Sequence, residues 1–254
     1  MRIHYFVRDG IVTRHRDVPP RKSRRVFRES GEYGGLMKGN RAVSTKYHVD
    51  TPSEFEPGSR MRVLRNLKHI TSVREIQDAE LEGYMNAERL LLERYGPEHS
   101  FTLKDLDTIH RVFLGEIYSW AGKYRTVNLS KGGFPFATAM AIPTAMLDLE
   151  RRFLKKYTPC TGEDIQEIAR KIAPVHVEFL LIHPYREGNG RTARLLATLA
   201  AYQAGSPGID FGFIGSRGKE NDMYVAAIQA GINEEYSRMQ QIIERALTRA
   251  QRST

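Results

Sequence analysis

His183, Glu187, Gly188, Asn189, Gly190, Arg191 and Arg194 share one short stretch, His183-Pro184-Tyr185-Arg186-Glu187-Gly188-Asn189-Gly190-Arg191-Thr192-Ala193-Arg194. His183 is a candidate general base, because an imidazole ordinarily titrates near neutrality. Glu187 is a hard oxygen ligand suited to a magnesium ion shared with phosphates. Gly188 and Gly190, on either side of Asn189, let backbone N–H groups approach a phosphate with no Cβ in the way. Arg191 and Arg194 stand at i and i+3 on a helix whose positive end points at the same anion. A base, a metal carboxylate, an anion nest and paired guanidinium groups add up to a phosphoryl- or nucleotidyl-transfer site. An ordinary helix–loop–helix corner would explain a lone His-Pro or a lone Gly-Asn-Gly, but not the whole set in this order.

Helices must carry this loop. Ser72 and Glu75 form a capping box ahead of Ile76, Ala79, Gly83, Ala87, Leu90 and Leu91, and Gly96-Pro97 ends that helix. A second helix opens at Thr102, places Leu103, Leu106, Ile109, Phe113 and Ile117 on one stripe, and closes at Trp120-Ala121-Gly122. His110 beside that stripe reads as a satisfied structural histidine, since no metal-spaced partner accompanies it. Pro143 starts a further helix that runs toward Tyr157-Thr158-Pro159. Thr161 with Asp164 opens the helix that delivers the loop, with Ile165, Ile168, Ile172, Phe179 and Ile182 buried and Pro174 predicted to kink it. Arg191 to Ala204 forms the helix after the loop, stopped at Gly205. Residues 219 to 251 read as helix interrupted at Gly231.

Between the second and third helices the period changes. Tyr124 to Ala137 reads as two short strands joined by Ser130-Lys131-Gly132-Gly133. Such a hairpin is either plain surface or a flap whose exposed edge pairs with an extended target segment and presents its hydroxyl to the site. The chain thus divides into an irregular, basic extension over residues 1 to 68, with a hint of a hairpin around Asp9-Gly10, and a catalytic domain over residues 69 to 254. The expected fold is all-α with one β-hairpin.

The loop resembles the signature of the Fic family (filamentation induced by cAMP), His-Pro-Phe-x-Asp/Glu-Gly-Asn-Gly-Arg-x-x-Arg. Every fixed position is matched except the aromatic, where Tyr185 stands for Phe, and the resemblance spans roughly residues 73 to 205. It implies a Fic-type helical bundle with a flap, and transfer of AMP from ATP to a Tyr, Thr or Ser hydroxyl of a protein. Carried over by position, His183 is the base, Glu187 the magnesium ligand, Gly188, Asn189, Gly190 and Arg191 hold the α- and β-phosphates, and Arg194 the γ-phosphate. Lys131, Gly132, Gly133 and Phe134 form the target-binding flap, while Asn221 and Tyr224 are candidates to line the adenine.

Other outcomes on the same fold are phosphate transfer, against which Gly190 stands because that branch has Lys there, and removal of AMP. Family members that remove AMP carry an inhibitory helix with Ser/Thr-x-x-x-Glu-Gly/Asn. The nearest stretch, Asp78-Ala79-Glu80-Leu81-Glu82-Gly83, has Asp for Ser/Thr and reads as core, which favours restraint by a separate small antitoxin-like protein. A non-catalytic binding module is the remaining reading, and the intact His183, Glu187 and Arg194 oppose it.

The 254 residues, 41% hydrophobic, suffice for a substantial core. No apolar run approaches a membrane span, and the first residues lack the apolar centre of a signal peptide. One cysteine, Cys160, excludes an intrachain disulfide and suits a reducing cytoplasm. The net charge of +9 is carried largely by the termini, and without a nucleic-acid-binding module direct nucleic-acid binding is not expected.

Overall fold

The computed structural model describes residues 52–215 and 217–252, together with the backbone pairing of Ile3–Arg8 (β1) and Ile11–Arg16 (β2). β1 and β2 pair antiparallel with Ile3 opposite Arg16 and Arg8 opposite Ile11, while the expected Asp9-Gly10 turn lies outside the described residues. The basic, glycine- and proline-punctuated segment expected after it lies outside the described residues.

The helical body begins before residue 69. A 3-10 turn, Pro52–Glu54, leads into a segment whose Phe55 and Val63 are buried, with Val63 in the main core. Glu56 and Asn66 stitch it together, the Asn66 N–H donating to Glu56 Oε2 at 3.0 Å. Helix α1, Val73–Arg94, is capped by Ser72, whose hydroxyl accepts from the Glu75 N–H. Its buried face is Ile76, Glu80, Ala87 and Leu91, so a carboxylate occupies a core position while Leu90 is exposed, a correction to the apolar stripe. Gly83 lets α1 approach the next helix closely, since a Cβ there would lie 2.6 Å from the Phe113 carbonyl oxygen.

Helix α2, Leu103–Leu114, starts at a Thr102–Asp105 capping box and buries Leu106, Ile109, His110, Phe113 and Leu114. It stops earlier than the sequence suggests. Gly115 turns the chain tightly over the Arg111 carbonyl, 2.5 Å from where a Cβ would sit, and Ile117, Tyr118 and Ala121 reach the core from a coiled connection.

The flap follows as β3, Ser130–Lys131, paired antiparallel with β4, Phe134–Pro135. Helix α3, Ile142–Leu149, passes through a π-turn, Glu150–Leu154, into α4, Lys155–Tyr157. Helix α5, Ile165–Ile182, is capped by Asp164, whose extended backbone and side chain accepting from the Glu167 N–H make it the N-cap, with Thr161 three residues ahead of it. The helix runs on through Pro174. From Ala173 to Ile182 every residue of α5 is buried, as expected of a helix surrounded on all sides, and α3, α6, α7 and α8 pack around it.

Helix α6, Asn189–Gln203, begins two positions before Arg191, so the second half of the loop is already helical. Helix α7, Lys219–Ala230, and α8, Ser237–Arg252, are separated at Gly231 as expected. Gly231 sits against α5, where a Cβ would come within 2.1 Å of Val177 Cγ1. Among the described residues no helix is long and apolar enough to cross a membrane.

Candidate active site

The site lies where α5 ends and α6 begins. His183 terminates α5 in the left-handed conformation, φ 54° and ψ 58°. That turn brings its Nδ1 within 3.1 Å of the Leu180 carbonyl. A carbonyl can only accept, so Nδ1 carries the proton and Nε2 the lone pair, which is the tautomer a general base needs. The ring is buried and stacked on Phe136, with centroids 3.8 Å apart and planes 13° from parallel.

The next residues are fixed from below. Tyr185 is fully buried, and its hydroxyl donates to Asp107 Oδ1 at 2.8 Å, which supplies the partner that Phe would not need. Burial pushes both the Tyr185 hydroxyl and the Asp107 carboxyl above their ordinary values. His110 stacks on Tyr185 at 3.9 Å. Its Nδ1 accepts from the Gly122 N–H at 2.8 Å, so Nε2 donates to the Glu187 carbonyl at 2.9 Å. Burial lowers His110 to about 4 and keeps it neutral. His110 is thus structural, as its surroundings in the sequence suggested, and what it holds is the catalytic loop itself.

Asn189 has a similar task. Its Oδ1 accepts from the Tyr185 N–H at 2.8 Å, and its Nδ2 donates to the Tyr185 carbonyl at 2.7 Å. The side chain is fully buried, and its amide is spent on holding the turn of the loop. Gly188 and Gly190 also part ways. Gly188 is the α6 N-cap at φ 82°, and a Cβ on it would meet Leu114 Cδ1 at 2.7 Å. Gly190 has nothing within 4 Å of its Cβ position, so only the space above the first turn of α6 profits from its missing side chain. That turn holds backbone N–H groups with no acceptor inside the helix.

Glu187 accepts the Gly188 N–H at 2.8 Å and lies 3.6 Å from Arg191 Nη2. Among the described residues no three His, Cys, Asp or Glu side chains cluster to hold a metal. The carboxylate the loop itself offers is Glu187, and a single carboxylate fits a magnesium ion completed by phosphate oxygens and water.

The arginines differ. Arg191 donates to Glu80 Oε2 at 2.7 Å and lies 4.9 Å over the Phe113 ring. Arg194 sits between Phe211 and Tyr224, 5.9 and 6.0 Å from their centroids. Its buried Nε finds no acceptor, and among the described residues no carboxylate lies within 4.0 Å of it. A guanidinium in the second turn of a helix, with no carboxylate beside it among the described residues, is suited to receive an anion. Tyr224 beneath it is buried, its hydroxyl 2.6 Å from His176 Nε2, and Asn221 lies half-buried one turn earlier on α7.

In the flap, Gly132 and Gly133 adopt φ 57° and 79°, the paired positive values of a tight hairpin turn, and both are open to solvent. Lys131 is exposed, whereas Phe134 turns inward and meets Phe136 edge-on at 5.8 Å. The flap is thereby continuous with the His183 ring. Several contributors were not evident in the sequence: Phe136, Arg125, Glu80, and the pair Arg186–Glu54 at 2.5 Å. Phe136 follows Phe134 by two positions and could have been inferred from alternation, but the others depend on long-range contacts.

The Fic/DOC family model matches residues 100–201, which contain the whole loop from His183 to Arg194. Over that stretch the chain is similar to the Fic/DOC family. It is similar to protein adenylyltransferase VbhT of Bartonella schoenbuchensis, 32% identical over 105 residues, covering 41% of this chain and 22% of VbhT. It is also similar to a probable protein adenylyltransferase Fic of Escherichia coli K12, 26% identical over 216 residues, covering 82% of this chain and 98% of that protein. Among solved structures, the N-terminal Fic domain of a VirB-translocated Bep effector of Bartonella quintana, with bound ADP, matches with a TM-score of 0.57 and 25% identity, over 72% of this chain and 89% of that one. The chain thus spans about a fifth of VbhT but nearly all of the Escherichia coli protein.

Proposed function

We propose that this chain transfers AMP from ATP to a Tyr, Thr or Ser hydroxyl of a protein. The observation that carries the reading is the Arg194 guanidinium, with no carboxylate partner among the described residues, on the same loop as an Nδ1-protonated His183. The names of its relatives and the ADP held by a structural neighbour support the same chemistry.

In this reading the ATP phosphates lie over the loop Gly188-Asn189-Gly190, with the N–H groups of residues 189 and 190 toward them, Arg191 at the α- and β-phosphates and Arg194 at the γ-phosphate. Glu187 would hold a magnesium ion, which when bound neutralises charge on the phosphate oxygens. The target hydroxyl oxygen bonds to the α-phosphorus as the bond to the β-phosphate oxygen breaks. His183 Nε2 takes the hydroxyl proton, and pyrophosphate leaves. The edge of β3 and β4, with Lys131 at the tip, holds the target segment, and Asn221 and Tyr224 bound the adenine side. A separate small protein restrains the activity, and a reducing cytoplasm suits the buried thiol of Cys160, which burial pushes up to about 11.

The test is incubation of a lysate with labelled ATP and magnesium, comparing wild type with His183→Ala. We expect label on a protein from wild type and a loss of about 10²–10⁴-fold from the variant, with nucleotide binding kept. Mass spectrometry should find an added AMP. Retained transfer by His183→Ala would remove the base assignment, and an added phosphate would replace the reaction.

A further inference from the structure

Arg125 is buried between the flap and the end of α5, and its donors are spent on carbonyls from both. Its Nε donates to the His183 carbonyl at 2.8 Å, and Nη2 donates to Ile182 at 3.3 Å and to Ala137 at 2.5 Å. Nη1 donates to the Val127 carbonyl at 2.7 Å, and the Arg125 backbone N–H to the Pro184 carbonyl at 2.9 Å. Val127 and Ala137 are the two feet of the flap, while Ile182, His183 and Pro184 are where α5 turns into the catalytic loop.

The left-handed turn at His183 leaves the last carbonyls of α5 without helical donors, at the negative end of the helix dipole. A guanidinium answers both needs, because it is permanently charged and presents several N–H groups in a fixed planar fork. Lysine, a single point on a flexible stem, could satisfy one or two of these carbonyls but not hold them in register. Other links between the same parts are weaker in kind: one long hydrogen bond from the Ala137 N–H to Leu181 at 3.5 Å, and the stacking of Phe136 on the His183 ring.

We infer that Arg125 is a positioning residue that fixes the flap edge relative to the His183 imidazole, and so sets where a target hydroxyl arrives. The inference rests on the proposed AMP transfer. Among the described residues the hydrogen bonds of Arg125 go to residues 127, 137 and 182–184 and not to 187–194, so its loss should separate target modification from ATP binding. Misplacing a reacting group by about 1 Å can cost about 10²-fold in rate.

The experiment compares wild type with Arg125→Lys, and with Arg125→Gln as the uncharged counterpart, in the full chain. Transfer of labelled AMP to protein in lysate should fall about 10–100-fold in both. The dissociation constant for a non-hydrolysable ATP analogue should stay within about 2-fold, while amide exchange of 127–137 and 182–184 rises together. Wild-type transfer rates in Arg125→Lys would overturn the inference. So would a parallel loss of nucleotide affinity and thermal stability, which marks a purely structural residue. If wild type itself transfers no AMP, the functional reading fails, and the exchange measurement still decides whether Arg125 ties the two segments: unchanged exchange in Arg125→Lys refutes it.

Discussion

Glu80 on α1 reaches Arg191 on α6, Oε2 to Nη2 at 2.7 Å, while its other oxygen accepts the Tyr118 hydroxyl at 2.7 Å. Two groups that titrate only at high pH converge on one buried carboxylate, and the arginine is held further in its charged form by Glu80 and Glu187 despite its burial. The first loop arginine is thus oriented by two protein carboxylates, whereas among the described residues the second, Arg194, has none within 4.0 Å.

Glu80→Gln should lower the unfolding free energy by about 1–3 kcal/mol, the usual effect of removing the charged partner from hydrogen bonds to a cation. Urea denaturation measures it. Glu82→Gly, two residues on and exposed, should neither raise nor lower AMP transfer; a large gain would show that inhibition is internal and resides in α1.

The loop glycines should separate. In Gly188→Ala the new methyl would meet Leu114 Cδ1 2.7 Å from its Cβ position, at a left-handed φ of 82°. The combined crowding and backbone cost should destabilise by about 2–4 kcal/mol and abolish transfer. Gly190→Ala meets no protein atom within 4 Å and should fold at least as stably as wild type, yet weaken ATP binding, because the methyl enters the space above the amides. Thermal denaturation and nucleotide titration distinguish the two, and equal behaviour in both assays would contradict the division of roles.

His110 predicts a pH dependence. Its folded pKa is lowered from 6.5 to about 4 by burial, so the folded state favours the neutral ring. For a depressed pKa the stabilisation is complete above 6.5 and is lost as pH falls from there through 4. His176, lowered to about 3, adds in the same direction. The stability gap between wild type and His110→Gln should therefore be widest near pH 7 and narrow toward pH 4, read from urea midpoints. A constant gap would mean that the ring is not held neutral.

Much of this site is local in the chain and so was legible in it. The order His183, Glu187, Gly188, Asn189, Gly190, Arg191, Arg194 dictates a helix end, a turn and a helix start, because the caps, glycine φ values and dipole act within a few residues. The helices around α5 and the break at Gly231 follow from periodicity in the same way. What the tertiary structure decided is which polar groups are spent and which are spare. Asn189 looks like a phosphate ligand until its amide closes on Tyr185, and Gly188 looks like open space until Leu114 fills it. Nothing in the spacing singles out the carboxylate of Glu80 or the guanidinium of Arg125, and packing buries each against partners far along the chain. A side chain's availability depends on what folding brings beside it, and spacing along the sequence carries no record of those neighbours.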